Sequence, residues 1–172
     1  MINAANMTNQ KANQSSENRN SHNRNKSVLI IGYGNPGRQD DGLGPACARI
    51  IKSLKLAYVV VDISYQLVVE HAYDIAKADI VIFIDAFRSG ELPFYFHELE
   101  IDSEPTGFGS HTLTPTEVKT LAKTVYSASP ECYILGIRGY LFDQFEERLS
   151  DEAESNLRLA AEFLIDWFNT QY

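Results

Sequence analysis

Residues 28–44 read VLIIGYGNPGRQDDGLG, and this stretch decides the fold. Val28–Gly32 is a short, continuous apolar run closed by glycine, the pattern of a strand buried in a parallel sheet. The glycine-rich loop after it leads into Asp41–Leu54, which reads as a helix with Leu43, Cys47, Ile50, Ile51 and Leu54 on one face. Strand, tight loop and helix open a βαβ unit, so the same alternation is expected to continue downstream.

Tyr58–Asp62 (YVVVD) reads as a second strand, and Leu67–Lys77 as a second helix turning Val68, Ala72, Ile75 and Ala76 inward. Ile80–Asp85 (IVIFID) is a third strand whose unbroken apolar run predicts a central position. Phe94–Ile101 (FYFHELEI) partly alternates apolar and polar residues, as an edge strand with one wet face does, and His97 reads as a surface residue of that strand. Only Ala86–Pro93 separates it from strand three. A parallel crossover needs a dozen or more residues, so this strand is predicted to run antiparallel. Thr114, Pro115 and Glu117 form an N-cap, a first-turn proline and a capping box for a helix running to about Ser127. Cys132–Ile137 (CYILGI) is strand five. Ser150 caps a final helix with an acidic first turn, DEAE, and a stripe of Leu157, Ala161, Leu164, Ile165 and Phe168. No internal repeat is present. The expected fold is an α/β three-layer sandwich: a mostly parallel five-stranded sheet with one antiparallel strand and helices on both faces.

Residues 1–27 are dense in Asn, Ser, Gln and Lys and carry almost no large apolar groups. Such a segment cannot offset its own ordering entropy, so it is read as a disordered tail, with His22 excluded as a ligand. That leaves residues 28–172 as a single domain. A hydrophobic fraction of 44% supports an ordinary core. No apolar run approaches the roughly 18–20 residues of a membrane span, and the N-terminus is too polar for a secretory signal, so a soluble, cytoplasmic protein is expected. The net charge of −8 argues against nucleic acid as a partner, which would need a basic face. Cys47 and Cys132 have no CxxC or metal-like spacing and sit among apolar residues, as buried core thiols do.

Gly32-Tyr-Gly34-Asn-Pro-Gly37 matches the dinucleotide-binding pattern GxGxxG, and Asp62 ends strand two, where a ribose-binding carboxylate is sought. The neighbouring chemistry opposes that reading. Pro36 removes one N–H donor from the loop, and Asp40 and Asp41 set two carboxylates where a pyrophosphate would sit. The loop looks built to present carboxylates, and a carboxylate pair wants a cation.

Ligands of open α/β sheets bind beyond the carboxyl ends of the strands, near the point where the strand order switches direction. Asp40 and Asp41 follow strand one, Asp85 closes strand three, and His111 precedes the helix capped by Thr114. His111 reaches that edge only if residues 102–110 cross back over the sheet. Nine extended residues span roughly 30 Å, enough for the trip. Two carboxylates and an imidazole suit nickel or zinc better than magnesium or calcium. Each residue also has a plain structural reading. Asp85 could cap a following turn, Asp41 could merely begin helix one with Asp40 as its cap, and His111 could be structural. Pattern alone stops at a metal-binding α/β protein.

Gly32–Gly44, GYGNPGRQDDGLG, resembles the opening motif of the hydrogenase maturation proteases, G-x-G-N-x-x-x-x-D-[DE]-G-x-G. The similarity continues through IVIFIDA at Ile80–Ala86, SHTLTPTEV at Ser110–Val118 and GIRGYLFDQFEERLSDEAE at Gly136–Glu154. It covers the chain after the tail and looks most like the branch serving cytoplasmic bidirectional or NAD-linked hydrogenases. Gly37 departs from the pattern, standing where a larger apolar residue is usual.

The resemblance implies that Asp41, Asp85 and His111 bind nickel and form the catalytic site. It implies an endopeptidase, aspartic-type and nickel-dependent, acting as a monomer. Its partner would be a [NiFe] hydrogenase large-subunit precursor already loaded with nickel, cut once near its C-terminal metal-binding cysteines. The nickel would then belong to the substrate, and other divalent metals could substitute in isolation. HExxH is absent, so an ordinary zinc peptidase is not indicated. In the expected chemistry one carboxylate activates water. A version in which the two aspartates share a proton requires them within hydrogen-bond reach of each other. The competing readings are a non-catalytic nickel or metallocentre chaperone using the same triad, and a dinucleotide-binding oxidoreductase.

Overall fold

The computed structural model describes residues 26–90, 93–100 and 113–171. Its elements in chain order are β1 (Val28–Tyr33), a 3₁₀ turn (Gln39–Gly42), α1 (Leu43–Ser53), β2 (Val59–Ser64) and α2 (His71–Ile75). There follow β3 (Ile80–Phe87), β4 (Phe94–Glu98), α3 (Pro115–Tyr126), β5 (Glu131–Arg138) and α4 (Asp151–Gln171). The five strands form one sheet in the order β2-β1-β3-β5-β4. Strands β2, β1, β3 and β5 run parallel, and β4 pairs antiparallel with β5 at the edge. Strand β3 is central, as its apolar run requires, with Ile80–Ile84 all buried.

Alternation along the strands divides the core in two. Ile30, Ile82, Ile84 and Leu135 face α1 and α4, while Ile31, Val81, Phe83 and Cys132 face α2 and α3. The sheet is therefore covered on both faces, the three-layer arrangement read from the sequence. Both cysteines are fully buried and unpaired, and burial pushes the Cys47 thiol up to about 12. Helix α3 begins with the expected capping box. Thr114 Oγ1 accepts from Glu117 N–H at 3.2 Å while the Glu117 carboxylate accepts from Thr114 N–H at 2.7 Å.

Several boundaries differ from expectation for local reasons. Regular helix does not begin at Asp41, because the chain first closes a 3₁₀ turn that opens on Gln39 with φ of +53°. Leu54, assigned to the inward stripe of α1, lies at its C-cap and is exposed. The helix expected over Leu67–Lys77 shrinks to His71–Ile75. Its upstream turn is held instead by bonds three residues apart (His71 N to Val68 O, Ala72 N to Val69 O) and by Val68 N–H donating to His71 Nδ1 at 2.9 Å. Asp62 does not end β2, which continues through Ser64. Lys26 and Ser27, placed in the tail by composition, are engaged: Ser27 N–H and Oγ–H donate to Asp79, and Lys26 pairs with Glu131 at 2.7 Å. The FYFHELEI strand stops at Glu98, short of the expected Ile101, with Leu99 and Glu100 already outside it. The rest of the predicted tail, with His22, lies outside the described residues, as do Ile101 and the crossing segment 102–110. No helix among the described residues is long and apolar enough to cross a membrane.

Candidate active site

Strand β1 lies between β2 and β3, so the chain leaves β1 in one direction and returns on its other side. That is the switch point of the sheet, and its carboxyl edge is where a crevice opens. The motif loop is shaped for this place. Gly34 has a φ of +134°, and a Cβ there would overlap the carbonyl oxygen of Asp41. A Cβ on Gly44 would overlap the carbonyl oxygens of both Tyr33 and Ile84, so only glycine lets the first turn of α1 rest on the ends of β1 and β3. Gly37, the departure from the family pattern, is under no such demand: a Cβ there would meet only Asn35 Oδ1 at 3.2 Å.

Asp41 and Asp85 come together across this seat. Asp41 is half-buried, and its Oδ2 accepts from Asn35 N–H at 2.9 Å. Asp85 accepts from Ala86 N–H at 2.8 Å and from the Tyr33 hydroxyl. Burial pushes the Asp85 carboxyl up to about 6; the hydrogen bonds from Ala86 and Tyr33 oppose the rise, and the negative charge of Asp41 adds to it. Asp41 is thus close enough to act electrostatically on Asp85.

Sheet register supplies two neighbours that the sequence reading missed. Asp85 pairs with Gly136, and Gly136 pairs with Tyr95, so the three lie in one row on one face. A Cβ on Gly136 would overlap the Tyr95 ring, so the glycine lets that phenol lie across β5 toward Asp85. Burial and then the charge of Asp85 raise the Tyr95 hydroxyl above its ordinary range, and the same two causes raise Tyr33 further. Asp85 therefore sits between two protonated phenols. Tyr33 was legible as a motif residue, but nothing in the sequence pairs residue 95 with residue 136.

The adjacent Asp40 has a different task. It is fully buried, and its carboxylate accepts from Tyr140 N–H (2.7 Å), Leu141 N–H (2.9 Å), Ser150 N–H (2.7 Å) and Ser150 Oγ–H (2.7 Å). Burial by itself would raise its pKa, yet the bonds from Leu141, Ser150 and Tyr140 outweigh burial and hold it below the usual carboxylate range. Asp40 pins the β5–α4 loop to the motif loop. It does not cap helix one, and it is not free to bind a ligand.

Asp62, the would-be ribose carboxylate, is also engaged: its Oδ2 accepts from His71 Nε2 at 2.8 Å and from Ser64 Oγ at 3.1 Å. Asp, His and Ser together suggest a catalytic triad, but the geometry refuses it. Both Asp62 and Ser64 approach the same nitrogen, Nε2, while Nδ1 accepts from Val68 N–H at 2.9 Å. A triad needs one ring nitrogen for the acid and the other for the nucleophile. This cluster is a structural staple between β2 and α2.

His111, the expected third ligand, lies outside the described residues. Among the described residues no three His, Cys, Asp or Glu side chains converge as a metal would require. His97 is exposed on β4, stacked on Tyr95 at 5.2 Å between ring centroids.

Neither a family model nor a curated protein matches the chain. Solved structures do. The [NiFe] hydrogenase maturation protease HycI from Thermococcus kodakarensis superposes with a TM-score of 0.65 at 23% identity, over 82% of this chain and 91% of that one. The hydrogenase maturating endopeptidase HybD from E. coli gives 0.65 at 20% identity, over 84% and 93%. A hydrogenase 2 maturation peptidase from Thaumarchaeota archaeon SCGC_AB-539-E09 gives 0.61 at 22%, over 83% and 98%. At these identities the likeness establishes a shared fold.

Proposed function

We propose that this chain is an endopeptidase that removes the C-terminal extension of a nickel-loaded [NiFe] hydrogenase large-subunit precursor. The observation that carries the reading is the pair Asp41 and Asp85, brought to the switch point of the sheet by the glycines of the motif loop. The fold that holds them is one shared with proteins named as hydrogenase maturation proteases. Two carboxylates that repel each other at the carboxyl edge of the sheet favour a cation between them, and the substrate would bring it. Asp41, Asp85 and His111 are the residues proposed to receive the precursor's nickel, so that an unloaded precursor lacks the group that seats it.

In the proposed cleavage, Asp85 takes a proton from a water molecule as its oxygen attacks the scissile carbonyl carbon. The same proton passes to the leaving amine nitrogen as the C–N bond breaks, giving a carboxylate and a short released peptide. Tyr33 orients the Asp85 carboxylate through its hydroxyl. The proposed setting is cytoplasmic, with the enzyme acting as a monomer.

The test is to incubate the purified chain with nickel-loaded and nickel-free precursor, and to repeat it with Asp41→Asn, Asp85→Asn and His111→Ala. Shortening of the loaded precursor alone, abolished in the variants, is the expected result. A precursor that is bound yet never shortened would replace the peptidase with a metallocentre chaperone.

A further inference from the structure

Arg138 closes β5 at the same carboxyl edge, two residues beyond Gly136 and paired in register with Phe87. Asp85, Phe87, Gly136 and Arg138 therefore share one face of the sheet, with Arg138 displaced roughly 7 Å along the strand from the level of Asp85. Its surroundings are fixed. Arg138 N–H donates to Pro93 O and Gly139 N–H to Phe87 O, both at 3.0 Å. The guanidinium carbon stands 5.8 Å from the Phe87 ring centroid and 5.4 Å from that of Tyr140. Buried Asn156 on α4 holds Tyr140 in turn, donating through Nδ2 to the Tyr140 hydroxyl at 3.2 Å and to Arg138 O at 3.0 Å.

What this cradle does not supply is an acceptor. Among the described residues, Nε and Nη1 of Arg138 are buried without a hydrogen-bond partner, and no carboxylate pairs with the guanidinium. Aromatic faces attract a guanidinium but do not satisfy its N–H groups. A buried donor left unmade is expensive, and an arginine offers the two-pronged geometry that fits a carboxylate or a carbonyl oxygen. Asp85, an acid on that face, keeps to Ala86 and Tyr33. One face of the sheet edge thus carries an acid and an unanswered cation held apart.

We infer that Arg138 is a substrate-anchoring residue, its guanidinium donating to the peptide lying across Asp85. This rests on the peptidase reading. Two sources could provide the accepting oxygen: a carboxylate of the precursor near the cut, or the scissile carbonyl as it gains negative charge in the transition state.

The experiment measures kcat and KM on nickel-loaded precursor for the wild-type chain, Arg138→Gln and Arg138→Lys, with urea unfolding of each. Arg138→Gln is expected to lower kcat/KM by roughly 10- to 100-fold, the loss of hydrogen bonds from a charged donor, while leaving the unfolding midpoint unchanged or raised. A fall carried by KM identifies a ground-state carboxylate, and a fall carried by kcat identifies the carbonyl oxygen. Arg138→Lys keeps the charge without the fork and is expected to lose about tenfold. It decides the matter if the Gln variant does not fold. Wild-type kcat/KM in the folded variants overturns the inference and leaves the peptidase reading intact. A wild-type chain that leaves loaded precursor uncut overturns the peptidase reading, and the inference falls with it.

Discussion

Asp40 and Asp41 are neighbours in the chain, and the structure predicts opposite consequences for removing each. In Asp40→Ala four donors lose their acceptor inside the protein: the N–H groups of Tyr140, Leu141 and Ser150 and the Ser150 hydroxyl. Each unsatisfied donor costs about 1–3 kcal/mol, but the losses are coupled and the loop relaxes, so a total of roughly 4 kcal/mol is expected. Asp40→Asn is milder. Its carbonyl oxygen can replace Oδ2, which takes three of the bonds, while its amide nitrogen faces Ser150 N–H donor to donor, for about 2 kcal/mol. Among the described residues Asp41 accepts a single bond, from Asn35 N–H, which an asparagine oxygen can keep, so Asp41→Asn should change stability by less than about 1 kcal/mol.

Urea unfolding reads these directly. With a slope on the order of 2 kcal/mol/M, the midpoint falls by about 2 M for Asp40→Ala, about 1 M for Asp40→Asn and under about 0.5 M for Asp41→Asn. Acid adds a check of sign. Because the folded state holds Asp40 below the ordinary carboxylate range, its contribution is complete above the unfolded value of 3.8 and disappears as pH falls through the folded value. The difference between wild type and Asp40→Asn should therefore shrink below about pH 4. An Asp40→Ala midpoint within about 0.5 M of wild type, or an Asp41→Asn variant as weakened as Asp40→Asn, would refute this division of labour.

Asp85 carries the reverse sign: its folded pKa of about 6 exceeds the unfolded 3.8, so stability declines as pH rises between those values. Asp85→Asn should be more stable than wild type by about 1–3 kcal/mol at pH 8, equal to it below about pH 4, and inactive; equal stability at pH 8 would remove the claim that burying this charge is costly. Gly44→Ala forces a methyl into the carbonyls of Tyr33 and Ile84 and should cost about 3 kcal/mol or more together with activity, so a stable, active Gly44→Ala would contradict the seating of α1. Ser64→Ala should cleave precursor within about twofold of wild type, since Ser64 shares Nε2 of His71 with Asp62; loss of cleavage would reinstate a serine nucleophile.

Much of the fold was legible because it is written locally. The VLIIG and IVIFID runs, the Thr114 capping box and the short Ala86–Pro93 connection each constrain a few adjacent residues, and each reading held. The helix over Leu67–Lys77 was overread because apolar spacing cannot reveal that the His71 ring takes the N–H of Val68. Asp41 and Asp85 were legible as residues at strand ends. The role of Asp40 was not, because its partners lie 100 to 110 residues away and no local pattern links them. Tyr95, Gly136 and Arg138 needed the register of β3, β5 and β4, which only the assembled sheet defines.

The span between Asp40 and Ser150 also bears on the order of events during synthesis. The motif loop emerges from the ribosome with β1 and α1, but the donors that lock Asp40 in place follow 100 to 110 residues later. Loop closure over such a distance is slow and follows local structure. A nascent chain that has reached β3 already carries Asp41 and Asp85, yet its motif loop is held from one side only. The motif loop is locked only when the segment from Tyr140 to Ser150 docks, so Asp41 is not held in its final place before that segment has been made.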